Sequence, residues 1–256
     1  MKTCSKCEKP MMMQTVKGGK DICMVCFSGK SLKMHYAASN LPHERGWDGH
    51  FSGYVIAPSY ATWVNRLIDR PMPYMVDNGA WRDAWQGEEV STDEMLQRTL
   101  ELCERVIESG STVRFMVLPD TVGSWSKTMK RLNELNDLAY KNYNLALPIQ
   151  DGFQIDEVKM LIERFNPKFL FIGGSGLPFK RMAVEELNHL GIPFHVGKIH
   201  KLEDLCHFSK IPLVESVDSS AFSRPQSEVI LRNLGYRLEA YEAWLNGSQR
   251  TLKEWF

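Results

Sequence analysis

Eight times along this chain a short apolar run of strand length appears, near residues 34–39, 53–58, 74–77, 113–118, 145–149, 169–173, 193–197 and 213–217. Helix-like stretches separate most of them. Five of the runs stop on a polar or glycine-rich group: Asp77-Asn78-Gly79, Asp120, Gln150-Asp151-Gly152, Gly173-Gly174-Ser175 and Asp218 followed by Ser219 and Ser220. A buried strand has no reason to end on a carboxylate unless that end opens onto something polar. Strands joined through helices run parallel, so their C-terminal ends share one edge, and all five polar ends would meet there. The pattern predicts an α/β fold, a (β/α)8 TIM-like barrel whose chemistry sits on the C-terminal rim. An open, doubly wound parallel sheet is the alternative arrangement of the same elements.

The helical patterns support the alternation. Between Thr92 and Ser109, Leu96, Leu100, Cys103 and Ile107 recur at helical spacing. Ser91 with Glu94 forms a capping box at the start and Gly110 marks the end. Trp125, Met129, Leu132 and Leu135 mark a helix within Ser124–Asn142, and Val158, Leu161, Ile162 and Phe165 another. Leu202, Leu205 and Cys206 mark a shorter one. A last helix, 226–245, would bury Ile230, Leu234, Tyr241 and Trp244. Cys103 and Cys206 fall at apolar positions and read as small core residues. The helix-free stretch from His43 to His50 has no assigned role. The seven histidines form no HxH or HExxH pair and read as scattered surface or core residues.

Residues 1–33 have a different character. Cys4-Ser-Lys-Cys7 and Cys23-Met-Val-Cys26 are two knuckles separated by fifteen residues, a spacing that lets four thiolates close a tetrahedron around Zn²⁺. Lys17-Gly18-Gly19-Lys20 between them suits a hairpin turn, so the segment reads as a small zinc-ribbon-like module ahead of a barrel domain over 34–256. Four sulfur ligands would make the zinc structural. Two disulfides or a rubredoxin-like iron site are the rival readings. Lys plus Arg balance Asp plus Glu at 31 each, so no global field announces a nucleic-acid binder. Residues 1–33, however, hold seven lysines against Glu8 and Asp21. That local excess, Lys17 and Lys20 included, could clamp a phosphate backbone. No apolar run approaches the roughly 20 residues of a membrane span, and the lysine-rich N-terminus is no signal peptide, so a cytoplasmic setting is expected.

The rim motifs, taken in order, resemble the tRNA-guanine transglycosylase superfamily and its phage and bacterial DNA-modifying relatives. Asp77-Asn78-Gly79-Ala80-Trp81 is similar to the family's Asp-Ser-Gly-Gly-aromatic motif, Gln150-Asp151-Gly152 to its Gln-Gly-Gly, and Ile172-Gly173-Gly174 to its Gly-Gly-Leu. Val196-Gly197-Lys198, then Asp218 and Arg224, resembles the segment that carries its nucleophile. The resemblance implies that Asp218 attacks the sugar C1′ and that Asp77 serves as general acid and base. It also implies that Asp120, Gln150 and the backbone at Gly173–Gly174 read the base edge, that Trp81 stacks on it, and that Arg224 touches the nucleic-acid backbone. Base exchange with retention needs two displacements, hence a carboxylate nucleophile and a second acid/base group. The plainer readings are a turn or helix-cap carboxylate for Asp77 and Asp120, a tight turn for Gly173–Gly174 and packing for Trp81. The tRNA enzymes hold zinc near the C-terminus through three Cys and a His, which this chain does not reproduce. That departure favours DNA over tRNA as the nucleic-acid partner, with a 7-deazaguanine base as co-substrate. A tRNA substrate or a non-catalytic binding subunit is the alternative, and a homodimer or partner subunit is open.

Overall fold

The computed structural model describes residues 15–17, 20–22, 34–37, 53–58, 73–136, 140, 142–199, 204, 207–208 and 211–219. Two short strands come first: β1 (Thr15–Lys17) and β2 (Lys20–Ile22) pair antiparallel, with Lys17 opposite Lys20. Eight parallel strands then close into a barrel: β3 (Met34–Ala37), β4 (Gly53–Ile56), β5 (Pro73–Val76), β6 (Thr112–Val117), β7 (Leu145–Ile149), β8 (Phe169–Ile172), β9 (Phe194–Val196) and β10 (Val214–Ser219). The last strand closes on the first, with Asp218 opposite Tyr36 in the register. All eight apolar runs are strands, and the closed barrel rather than the open sheet is the arrangement. Cys4, Cys7, Cys23, Cys26, Cys206, Arg224, the stretch 43–50 and the 226–245 helix lie outside the described residues, as do the side chains of Lys17 and Lys20.

Alternation along each strand sorts its residues between two cores, because successive side chains point to opposite faces. Val55, Met75, Phe115, Val117, Ala146 and Phe169 fill the lumen. Their neighbours Tyr54, Ile56, Tyr74, Val76, Met116 and Leu147 face the surrounding helices. Continuing the inward parity upward leads to Asp77 just past β5, Gln150 past β7, Gly173 past β8, Gly197 past β9 and Asp218 on β10. The same two-residue period that packs the lumen therefore delivers the polar residues to its mouth.

Five α-helices are described: α1 (Ala80–Gln86), α2 (Thr92–Glu108), α3 (Trp125–Glu134), α4 (Ile155–Phe165) and α5 (Leu177–Leu187). Ser91 caps α2 by accepting the Glu94 N–H at 3.2 Å, as the capping box predicts. Leu96 and Cys103 are buried as the spacing predicts, together with a stripe through Met95, Thr99, Leu102 and Val106, but Ile107 is 52% exposed. The stripe advances by three and four residues alternately and reaches Val106 first, so Ile107 is carried off the core face. Cys103 is a fully buried free thiol, a small core residue as expected. Helix α3 stops at Glu134, short of the 124–142 pattern. Arg164 of α4 donates to the carbonyls of Leu132 (2.9 Å), which also accepts the Leu135 N–H, and of Leu135 (2.7 Å), tying down the end of α3.

Helices α1 and α5 have no counterpart in the sequence patterns. Helix α1 is a short turn set between two left-handed glycines, Gly79 and Gly87, and its tryptophans face outward. Helix α5 buries Lys180, Ala183, Val184 and Leu187, a regular i, i+3, i+4, i+7 stripe whose first member is a lysine. That charge conceals the stripe from a hydrophobicity reading. No helix among the described residues is long and apolar enough to cross a membrane.

Candidate active site

The C-terminal rim carries two hydrogen-bonded groups. The first is a belt across β5 to β8. Asn78, buried, donates to the Leu118 carbonyl (2.7 Å) and to Asp120 Oδ1 (2.9 Å), while its own Oδ1 accepts the Ala80 N–H. The Gln150 amide donates to Asp120 Oδ2. Gln150 Oε1 accepts the N–H groups of Gly123 (3.0 Å) and Gly174 (2.9 Å). A bare glutamine at the end of an apolar strand needs partners, and this one has three. Asp120 is 4% exposed, and burial raises its carboxyl above the usual range against the lowering effect of its bonds from Asn78 and Gln150.

Two glycines make the belt possible. A Cβ on Gly173 would lie 2.5 Å from Gln150 Nε2, and one on Gly174 would lie 2.1 Å from the Phe179 ring. Gly174 also has φ +66°, where side chains are strained. Gly174→Ala is expected to destabilise the protein by about 2–4 kcal/mol, strain and overpacking combined. A thermal melt within a degree of wild type would contradict that account.

The second group surrounds Asp218. Its Oδ2 accepts from His195 Nε2 at 3.0 Å and its Oδ1 from the Lys198 backbone N–H at 3.1 Å. His195 Nδ1 lies 2.8 Å from Ser216 Oγ. Burial acts to raise the Asp218 carboxyl, but the bond and charge of His195, the Lys198 N–H and the Lys180 charge together hold it below the usual carboxylate range. Asp77, half-buried at the tip of β5, has the opposite environment. Burial, then the charges of Asp120 and Asp218, push it up to about 7, against the lowering effect of Lys198 and the Gly79 N–H. Burial also lowers Lys180 to about 8; its ammonium donates to the Gly197 carbonyl.

The rim thus brings Asp77, Asp120, Gln150, Gly173, Gly174 and Asp218 together. The Gly173 N–H bonds the Ile149 carbonyl and the Gly174 N–H bonds Gln150, so in this state neither backbone donor faces a ligand. The second hydrogen of Gln150 Nε2 and the remaining lone pairs of Asp120 are what the belt offers a ligand. Trp81 is 45% exposed and borders the cleft with Asp77, and the Lys198 ammonium stands 4.3 Å above its ring. Free space in the cleft is about 40 Å3, room for a few waters.

Sequence reasoning passes over His195, Lys180 and Lys198 as site residues. A signal for His195 exists: it shares inward parity with Gly197, as Ser216 does with Asp218 on the next strand. Among the described residues, no group of three or more His, Cys, Asp or Glu is placed to hold a metal ion.

An eight-stranded parallel barrel with two carboxyls of opposed character on its C-terminal rim is what fold and site define. No family model and no curated protein matches the sequence. Among solved structures the chain is similar to QR15, an aldolase, with 11% identity and a TM-score of 0.48, over 80% of this chain and 96% of that one. It is also similar to a protein from Sorangium cellulosum described as a putative mandelate racemase/muconate lactonizing enzyme, with 13% identity and a TM-score of 0.50, over 77% of this chain and 57% of that one. At such identities the likeness concerns the barrel alone.

Proposed function

We propose that this protein is a glycosyltransferase that exchanges guanine in DNA for a 7-deazaguanine base through a covalent aspartyl-sugar intermediate. The observation that carries the reading is the split between the two acids: Asp218 held ionised by donors, Asp77 held near neutrality by burial and neighbouring carboxylates. Pairs of titratable groups pushed apart in this way divide into nucleophile and proton carrier. Asp218 attacks C1′ as the bond to N9 breaks, and Asp77 protonates the departing guanine. The incoming base then passes its N9 proton to Asp77 as it attacks C1′, and Asp218 leaves as a carboxylate. Two inversions give net retention.

The remaining residues suit binding. Asp120 with Gln150 presents acceptors and one donor to the base edge, matching guanine's N1–H, exocyclic amine and O6. Trp81, once Lys198 withdraws, offers a stacking face worth roughly 1–3 kcal/mol. A base within a duplex is out of reach, so the nucleotide is flipped or unpaired. Arg224 and the lysine-rich module, Lys17 and Lys20 at its hairpin, would hold the backbone. The β1–β2 hairpin suits a zinc ribbon, in which Cys4, Cys7, Cys23 and Cys26 would hold a structural Zn²⁺ with no open position for substrate.

The test is incorporation of labelled guanine into matched DNA and tRNA substrates across a salt series. DNA is expected to be the substrate. Lys17→Glu with Lys20→Glu should weaken DNA binding and flatten its salt dependence, the log–log slope falling by roughly 0.9 for each phosphate no longer neutralised. Exchange confined to tRNA would replace the DNA reading, and an unchanged salt slope would remove the clamp.

A further inference from the structure

We propose that His195 is a positioning residue for Asp218, fixing the attacking carboxylate and stabilising it as the leaving group of the second displacement. This rests on the reading of Asp218 as the nucleophile. A carboxylate only accepts, so His195 Nε2 carries the hydrogen that meets Oδ2 at 3.0 Å. The ring has no freedom to turn away. It is fully buried, stacked on Phe171 (5.4 Å between centroids, 5° between planes), met edge-on by Phe115 at 5.5 Å, and tied at Nδ1 to Ser216. With the Lys198 N–H on Oδ1, both oxygens are held and the carboxylate plane is set before a sugar arrives. Gly197 leaves the space that this needs, since a Cβ there would lie 3.3 Å from Oδ2.

The consequence lies in the order of steps. Attack forms the Asp218–C1′ bond as C1′–N9 breaks, and the guanine nitrogen takes the Asp77 proton; the ester then lacks the charge that strengthens the His195 bond. The return step forms C1′–N9 of the incoming base, hands its proton to Asp77, and regenerates the carboxylate. Hydrogen bonds to ionised acceptors are about twice as strong as neutral ones, so His195 favours the free carboxylate over the ester. Losing it leaves the covalent intermediate too stable.

The experiment compares His195→Phe, which keeps an aromatic ring without the donor, with His195→Gln, which restores an N–H at similar reach. Labelled guanine is the incoming base, and the denaturant-stable protein–DNA adduct is read beside turnover. Turnover in His195→Phe should fall about 10- to 100-fold while the adduct-to-free ratio rises by a similar factor. His195→Gln should recover most of both. Wild-type turnover and adduct level in His195→Phe, with Asp218→Asn inactive, overturns the role of His195 and leaves the nucleophile standing. An adduct that survives Asp218→Asn overturns the nucleophile and this proposal together. Should His195→Phe fail to fold, Ser216→Ala decides: a several-fold rise in adduct supports the role, and an unchanged level overturns it.

Discussion

Asp218→Asn is expected to abolish guanine exchange, by at least about 10⁴-fold, together with every trace of covalent adduct. The substitution keeps the shape of the side chain and removes only its negative charge. It is also tolerable structurally. Two donors face this side chain, His195 Nε2–H and the Lys198 N–H. An asparagine can accept the second with its oxygen. Its amide can donate to the first once His195 moves its proton to Nδ1 and donates to Ser216 Oγ instead. The variant should therefore remain folded, so that its inactivity reports chemistry. Asp218→Ala would leave both donors unanswered in a buried site and confuse the two effects. Activity of Asp218→Asn near wild type would mean that some other carboxylate attacks.

Asp77→Asn should slow exchange by about 10²–10⁴-fold, the usual contribution of a general acid or base. It should also erase the alkaline limb of the pH profile. In the proposed mechanism the departing guanine takes a proton from Asp77, and with that carboxyl at about 7 the rate should fall above that pH. The same shift makes a stability prediction of definite sign. From the ordinary value of 3.8 up to about 7, the folded protein keeps a proton that the unfolded chain has released. Stability therefore declines as pH rises through that window, and the loss is complete above it. A rise from 3.8 to about 7 would correspond to about 4 kcal/mol; for a half-buried group, solvent screening brings this to about 2 kcal/mol. Asp77→Asn should thus melt ~4–8 °C above wild type at pH 8 and level with it at pH 4. A variant less stable than wild type at pH 8 would show that Asp77 is an ordinary ionised carboxylate.

Much of the frame is legible because local pattern and global fold agree here. The strand runs are buried on both faces, between lumen and helices, and so read as continuous apolar segments, and the Ser91 cap marks the start of α2. Where local signals are weak, elements stay hidden. Helix α1 carries its tryptophans outward, and α5 opens its buried stripe with Lys180. The pattern of α2 puts Ile107 on the core side because four apolar positions do not distinguish a stripe that drifts from one that stays straight.

The polar residues ending the strands, Asp77, Asp120, Gln150 and Asp218, stand out in the sequence because burial penalises such groups unless something answers them. What answers them is a matter of closure. Asn78, Asp120 and Gln150 are separated by 42 and 30 residues yet share one chain of bonds, because β5, β6 and β7 are neighbours in the barrel. His195 reaches Asp218 across 23 residues because β9 and β10 pair in parallel and both point those side chains inward. The sequence by itself determined which polar residues end the strands, since a continuous apolar run and the point where it stops are local features. The tertiary structure decided which of them meet, and with that which carboxyl is held ionised and which keeps its proton, since a carboxyl's charge state depends on neighbours that only the closed barrel supplies.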